Sequence, residues 1–290
     1  MVEDYPPTGP LLDIDGIQVH AHQEGNGPDV ILLHGAGGNT RDFTFDLLGR
    51  LTSAFRVTAF DRPGLGHTDP LHPNGESPAE QANVLEAAAR ELGLGPAVLV
   101  GHSFGGCVAL AWGLDFPDRA AAIVSLAGAA LPWEGGLGPW YELAASDFGG
   151  AFIVPMISAF APRFLAHQTI ERIFDPDPVP EGYTDHVGIE LSLRPDTIRS
   201  NTRQVNGLKP HIREMAARYG ELHMPIEIVH GTADEIVPID VHARPFVDLV
   251  PTAHLTELEG LGHMPHHVRP DIAVSAIHRA AERAGMRTAA

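Results

Sequence analysis

The chain has 290 residues, 44% hydrophobic and 19% charged, which suits a packed core and argues against a disordered polymer. Its 37 acidic against 19 basic residues give a formal net charge of −18, a balance that repels phosphate backbones and argues against nucleic acid or polyanions as partners. The single cysteine, Cys107, excludes an intrachain disulfide. No apolar run reaches the roughly 18 residues of a membrane span, and the start, Met1-Val2-Glu3-Asp4, lacks a signal pattern, so no membrane association and a cytoplasmic location are expected.

From the N-terminus, residues 11–14 and 17–20 are short apolar runs about Asp15-Gly16, a dipeptide that favours a two-residue hairpin. Residues 29–33 form an apolar run opened by Asp29, as a strand buried on both faces does. The runs at 56–60, 97–100, 121–126 and 226–229 repeat that pattern, and 254–258 alternates more, as a strand near a sheet edge would. Helical patterns fall between them. Ser77-Pro78-Ala79-Glu80 is a capping box with proline at the first helical position, opening a helix through Glu91. Residues 104–114 form a second helix halted by Phe116-Pro117, and 239–249 and 270–284 give two more.

This alternation predicts an α/β fold with a mostly parallel sheet covered on both faces. It breaks between residues 129 and 223, where helical segments such as 196–205 occur without a convincing strand. The division expected is a core of residues 1–128 and 224–290 and a helical cap of residues 129–223. The aromatic residues Trp133, Trp140, Tyr141 and Phe160 of that stretch are expected to wall an apolar pocket for a small-molecule substrate.

The chemistry begins at Gly101-His102-Ser103-Phe104-Gly105. This G-x-S-x-G sits where a strand meets a helix, the context in which a serine stands exposed on a sharp turn. A serine hydroxyl attacks well only when a base takes its proton. Gly260-Leu261-Gly262-His263 follows the last strand, and its glycines can aim His263 back at Ser103; His266 and His267 are rivals close in sequence. The histidine in turn needs a carboxylate. Asp234 follows the strand 226–229 and fits, with Glu235 adjacent. The order Ser, Asp, His is the order this elbow motif carries.

A tetrahedral intermediate also needs two preorganised donors for its oxyanion. The backbone N–H of Phe104 is one. The loop His34-Gly35-Ala36-Gly37-Gly38 supplies the other, with Ala36 as the candidate and His34 a structural pin. Backbone donors can do what a metal would otherwise do, and the 17 histidines show no metal-binding spacing, so neither a metal nor an organic cofactor is expected.

The ordered set HGAGG (34–38), DRPGLGH (61–67), GHSFGG (101–106), GTADEIVP (231–238) and GLGH (260–263) resembles the α/β-hydrolase superfamily over about residues 11–128 and 224–284. The resemblance implies an eight-stranded sheet with one antiparallel strand and a mainly helical cap. Residues Asp61 to Gly66 are similar to a turn that is structural in the family, and His67 stands where many relatives have serine and carries no assigned role. Dehalogenases and epoxide hydrolases of this fold use aspartate at the elbow, so Ser103 argues against both. The HGAGG loop also differs from the HGGG of many lipases. The implied activity is cleavage of a small ester or related acyl compound through an acyl-enzyme. A carbon–carbon bond hydrolase or cofactor-free perhydrolase on the same triad is the alternative, and a noncatalytic small-ligand receptor is the alternative of another class.

Overall fold

The computed structural model describes residues 5–136, 146 and 163–286. Strands β1 (Leu11–Ile14) and β2 (Ile17–Glu24) pair antiparallel and are joined by Asp15 and Gly16. These two residues lie at φ 51° and 88°, the left-handed pair that a tight hairpin needs and that Asp-Gly tolerates. The remaining strands are β3 (Asp29–Leu33), β4 (Arg56–Phe60), β5 (Ala97–His102), β6 (Ala120–Leu126), β7 (Ile226–Gly231) and β8 (Ala253–Leu258). They form one eight-stranded sheet in the order β1-β2-β4-β3-β5-β6-β7-β8. Only β2 runs against its neighbours; all pairings from β4 to β8 are parallel. The expected sheet is therefore present, with the alternating strand, β8, at the edge.

The helices described are α1 (Arg41–Thr44), α2 (Leu47–Leu51), α3 (Pro78–Glu91), α4 (Phe104–Asp115), α5 (Arg163–Phe174), α6 (Tyr183–Val187), α7 (Ile189–Ser192), α8 (Pro195–Ala216), α9 (Ile239–Leu249), α10 (Pro265–Val268) and α11 (Pro270–Arg283). The pleat sends alternate strand residues to opposite layers. Val30, Leu32, Val98, Val100 and Val124 pack with Leu47, Leu51, Ala273 and Ile277 of α2 and α11. Ile31, Leu33, Leu99 and Ile123 pack with Leu85 of α3, Val108 of α4 and Phe246 of α9. Each such aliphatic side chain contributes roughly 1.5–3 kcal/mol by leaving water. Helix α4 is buried on every side from Phe104 to Leu114, which is why its sequence is apolar all round.

Between β6 and β7 the described residues carry helices α5 to α8 and no strand, with 127–136 irregular. Helix α8 runs to Ala216, well past the expected end at residue 205, and contains Pro210. Val205, Leu208, Ile212 and Met215 recur every three or four residues and bury one stripe in the main core. That burial outweighs the hydrogen bond lost at proline and the poor propensity of Gly207. Phe174, Tyr183 and Val187 form a smaller cluster with Met264, which follows His263. No helix among the described residues is long and apolar enough to cross a membrane.

Candidate active site

Strand β5 delivers the chain to Ser103, and α4 starts at the next residue. Ser103 lies at φ 52°, ψ −117°, a backbone region costing on the order of 1–3 kcal/mol for a residue with a β-carbon. The turn can be this tight because its flanks are glycine. A β-carbon on Gly101 would collide with the Gly105 carbonyl, and one on Gly105 with the Leu33 carbonyl. The Ser103 amide donates to the Leu126 carbonyl at 3.0 Å, fixing the elbow to β6.

The second group of side chains comes from the loops after β7 and β8. His263 Nδ1 lies 2.7 Å from Asp234 Oδ2. A carboxylate oxygen only accepts, so the proton sits on Nδ1 and Nε2 of the neutral ring keeps its lone pair. Asp234 Oδ1 accepts the Ile236 and Val237 amides, both at 2.9 Å. Burial alone would raise the pKa of Asp234; hydrogen bonds from His230 and His263, the charge of His263 and the Val237 amide outweigh it and hold the carboxyl well below the usual range. His230 Nε2 lies 3.3 Å from Asp234 Oδ2 and donates to the Val237 carbonyl at 2.7 Å. Glu235 is exposed and lines a cavity instead.

The two groups meet at His102. Its Nε2 donates to the backbone carbonyl of His263 at 3.0 Å, and the two rings lie 4.9 Å apart. The residue before Ser103 is thus bonded to the backbone of His263. On the other side Gly35 closes on the elbow: a β-carbon there would stand 3.2 Å from Ser103 Cβ and 2.9 Å from His102 Nδ1. Among the described residues the Ala36 and Phe104 amides make no hydrogen bond, whereas the Gly37 amide is taken by Asn201 Oδ1 at 2.7 Å. His34 is buried with Nδ1 on the Gly35 carbonyl at 2.9 Å and Nε2 accepting the Arg62 amide at 3.0 Å, the pinning role expected of it. Burial pushes its pKa down from 6.5 to about 4.

His266 and His267 are held elsewhere. Both direct Nε2 at Asp42, at 3.1 and 2.8 Å, and Tyr183 donates its hydroxyl to Asp42 at 2.7 Å. Burial would raise the Asp42 carboxyl, but the charges and hydrogen bonds of His266 and His267 hold it well below the usual range. Ligand atoms of Asp42, His266 and His267 lie within 4.8 Å of one another, so a metal must be considered. A metal on both Nε2 atoms would move both protons to Nδ1, and neither buried Nδ1 has a partner among the described residues. Metal-bound imidazoles normally have an acceptor at that second nitrogen. The set fits a carboxylate receiving two imidazole N–H groups better than a metal centre.

A cavity of about 610 Å³ opens beside His263, walled by Glu235 and Ile236 and by Glu171, Arg172 and Asp175 of the α5 end. Trp133 is half-buried and lies elsewhere, its ring 6.0 Å from His242 and beneath Lys209. Trp140, Tyr141 and Phe160 fall outside the described residues. His102, His230 and Arg62 carry no role in the motifs as read from sequence; His102 lies inside GHSFGG and His230 directly before GTADEIVP, while Arg62 sits in the DRPGLGH turn.

Residues 30–276 match the model of the alpha/beta hydrolase family. The chain belongs to that family. Among relatives, it is 30% identical over 262 residues to the polyketide synthase ThaQ of Burkholderia thailandensis, covering 88% of this chain but only 12% of the synthase. It is 23% identical to the 2-hydroxy-6-oxononadienedioate/2-hydroxy-6-oxononatrienedioate hydrolase of Klebsiella pneumoniae, covering 82% of this α/β hydrolase and 83% of the relative. The crystallised thermophilic esterase of Thermogutta terrifontis superposes with a TM-score of 0.75 at 21% identity, over 92% of this chain and 94% of the esterase, a likeness of fold.

Proposed function

We propose that this α/β hydrolase is a serine hydrolase that cleaves a small-molecule ester or related acyl compound through an acyl-enzyme. Ser103 is the nucleophile, His263 the base and Asp234 its orienting carboxylate. His263 Nε2 takes the hydroxyl proton as Oγ attacks the carbonyl carbon. The negative charge gathering on the carbonyl oxygen is met by the Ala36 and Phe104 amides. Collapse expels the alcohol, which receives the proton from His263, and water then releases the acid by the same steps in reverse order. The observation that carries this reading is the 2.7 Å His263–Asp234 bond in a loop tied by His102 to the strained Ser103 elbow. No metal or cofactor takes part in these steps.

Residues 129–223 act as the lid in this reading, and Trp140, Tyr141 and Phe160 help select the acyl group. The cytoplasm is the compartment we assign. A carbon–carbon bond hydrolase on the same residues is the second reading, favoured by the likeness to a hydrolase named for a dienedioate. The described cavity wall weighs against a dianion, since Glu171, Asp175 and Glu235 face one Arg172. Turnover of p-nitrophenyl esters of graded chain length tests the choice. Ser103→Ala is expected to lose on the order of 10³-fold or more in kcat. A wild-type protein that turns over no ester but cleaves a vinylogous diketone would favour the second reading, and one that turns over neither would favour a receptor.

A further inference from the structure

Arg62 is fully buried and spends its side-chain hydrogen bonds on neutral oxygens. Nε donates to the His34 carbonyl and Nη2 to the Gly35 carbonyl, both at 2.8 Å. Nη1 reaches Gln81 Oε1 at 2.7 Å and Gln204 Oε1 at 3.2 Å. Its guanidinium carbon stands 4.4 Å from the centre of the Phe104 ring. A buried cation bonded only to neutral groups is costly, and a turn needs no such group. What distinguishes its surroundings is that both candidate oxyanion donors are there. The Gly35 carbonyl and the Ala36 N–H are two ends of one peptide unit, and Phe104 carries the other donor.

We propose that Arg62 is the positioning residue of the oxyanion hole, holding and polarising the Gly35–Ala36 peptide and bracing Phe104. The inference rests on the assignment of Ser103, His263 and Asp234 made above. The Gly35 oxygen receives three donors: Arg62 Nη2, His34 Nδ1 at 2.9 Å and the Gly38 amide at 3.3 Å. Donors on a carbonyl oxygen draw charge through the amide bond and make the N–H at its far end a stronger donor. They also fix the peptide plane, so the N–H does not have to reorient when the oxyanion forms. Burial lowers the Arg62 pKa to about 9, which leaves the group charged at neutral pH.

The helices between β6 and β7 complete the brace. Gln204 of α8 accepts from Arg62 and passes its own amide to Glu76 at 2.6 Å, linking the buried cation to a carboxylate. Asn201 holds the Gly37 amide, and Ser192 of α7 donates to the Gly37 carbonyl at 2.6 Å. The oxyanion loop is thus gripped by Arg62 from the core and by α7 and α8 from above.

The test compares wild type, Arg62→Lys and Arg62→Gln in the full chain, with a p-nitrophenyl ester and a trifluoromethyl ketone of the same acyl group. The ketone adds Ser103 to become a bound oxyanion, so its Ki reads the hole directly. Arg62→Lys, folded by circular dichroism, is expected to lose about 10- to 100-fold in kcat with KM little changed, and its ketone Ki should rise by a matching factor. A folded variant that keeps kcat, or loses it without weakening the ketone, overturns the proposal. Should neither variant fold, a crystal structure of the wild-type ketone adduct decides. The oxyanion must lie on the Ala36 and Phe104 amides with Arg62 on the Gly35 carbonyl; an oxyanion bound elsewhere contradicts it. Failure of the parent reading looks different, since wild type would then bind no ketone at Ser103.

Discussion

At the scale of single residues, Asp234 should matter more through the proton it fixes than through its charge alone. Its Oδ2 receives the N–H of His263 at 2.7 Å and lies 3.3 Å from His230 Nε2. Asp234→Asn keeps the shape but turns a donor toward that N–H and favours the wrong tautomer. The expected loss in kcat is on the order of 10³- to 10⁴-fold, with the fold retained by circular dichroism. A decrease under tenfold would mean that another group orients the ring. Combining Asp234→Asn with Ser103→Ala should add little to the loss from Ser103→Ala, because such residues act as one unit; additive losses would contradict that. His267→Leu, by contrast, removes a donor to Asp42 and should lower the melting temperature while leaving Ser103 reactive. Much of this was legible in the sequence. The G-x-S-x-G elbow, Asp234 and His263 each follow a strand, and strand ends on one edge of a parallel sheet converge. Arg62 was not legible, because Asp-Arg-Pro-Gly reads as a turn and nothing in its neighbours announces that it reaches the His34 and Gly35 carbonyls 28 and 27 positions away.

At the scale of elements, α3 begins with the reciprocal bonds that its sequence promises. Ser77 Oγ accepts the Glu80 amide at 3.2 Å, and the Glu80 carboxylate accepts the Ser77 amide at 2.8 Å. Ser77→Ala removes one half of that box and should cost about 1 kcal/mol in a urea titration. No measurable change would mean that the packing of α3 on α4 alone fixes the helix start. Strands were the easiest elements to read, since β3 and β5 are buried on both faces and their sequences are apolar from Val30 to Leu33 and from Ala97 to Val100. Helix α8 was the hardest. Gly207 and Pro210 signal a break, and only contact with the core through Leu208, Ile212 and Met215 overrides it. Such contacts depend on which surface the segment lands against, and a single segment's pattern does not carry that information.

At the scale of the molecule, the buried histidines set the acid limit of the fold. His34, His242 and His266 are each pushed by burial from 6.5 to about 4. Between those values the unfolded chain binds a proton that the folded protein refuses, so stability rises with pH across that window and is lost as pH falls through it. Each contributes on the order of 3 kcal/mol when the whole window is crossed. Asp42, held low by His266 and His267, adds to the loss only at more acid pH, as it approaches its own folded value. Urea midpoints should therefore fall steadily from about pH 6.5 to pH 4; a flat profile would mean that these rings are charged, or solvated, in the folded state.

The most direct test of the serine-hydrolase reading is intact-mass and peptide mass spectrometry after treatment with a fluorophosphonate. One adduct per chain, on Ser103, formed in the wild type and absent from Ser103→Ala, is the result expected from the strained elbow and the His263–Asp234 pair. Adducts on another residue, or a native wild-type protein that takes up none while a control serine hydrolase is fully labelled, would contradict it.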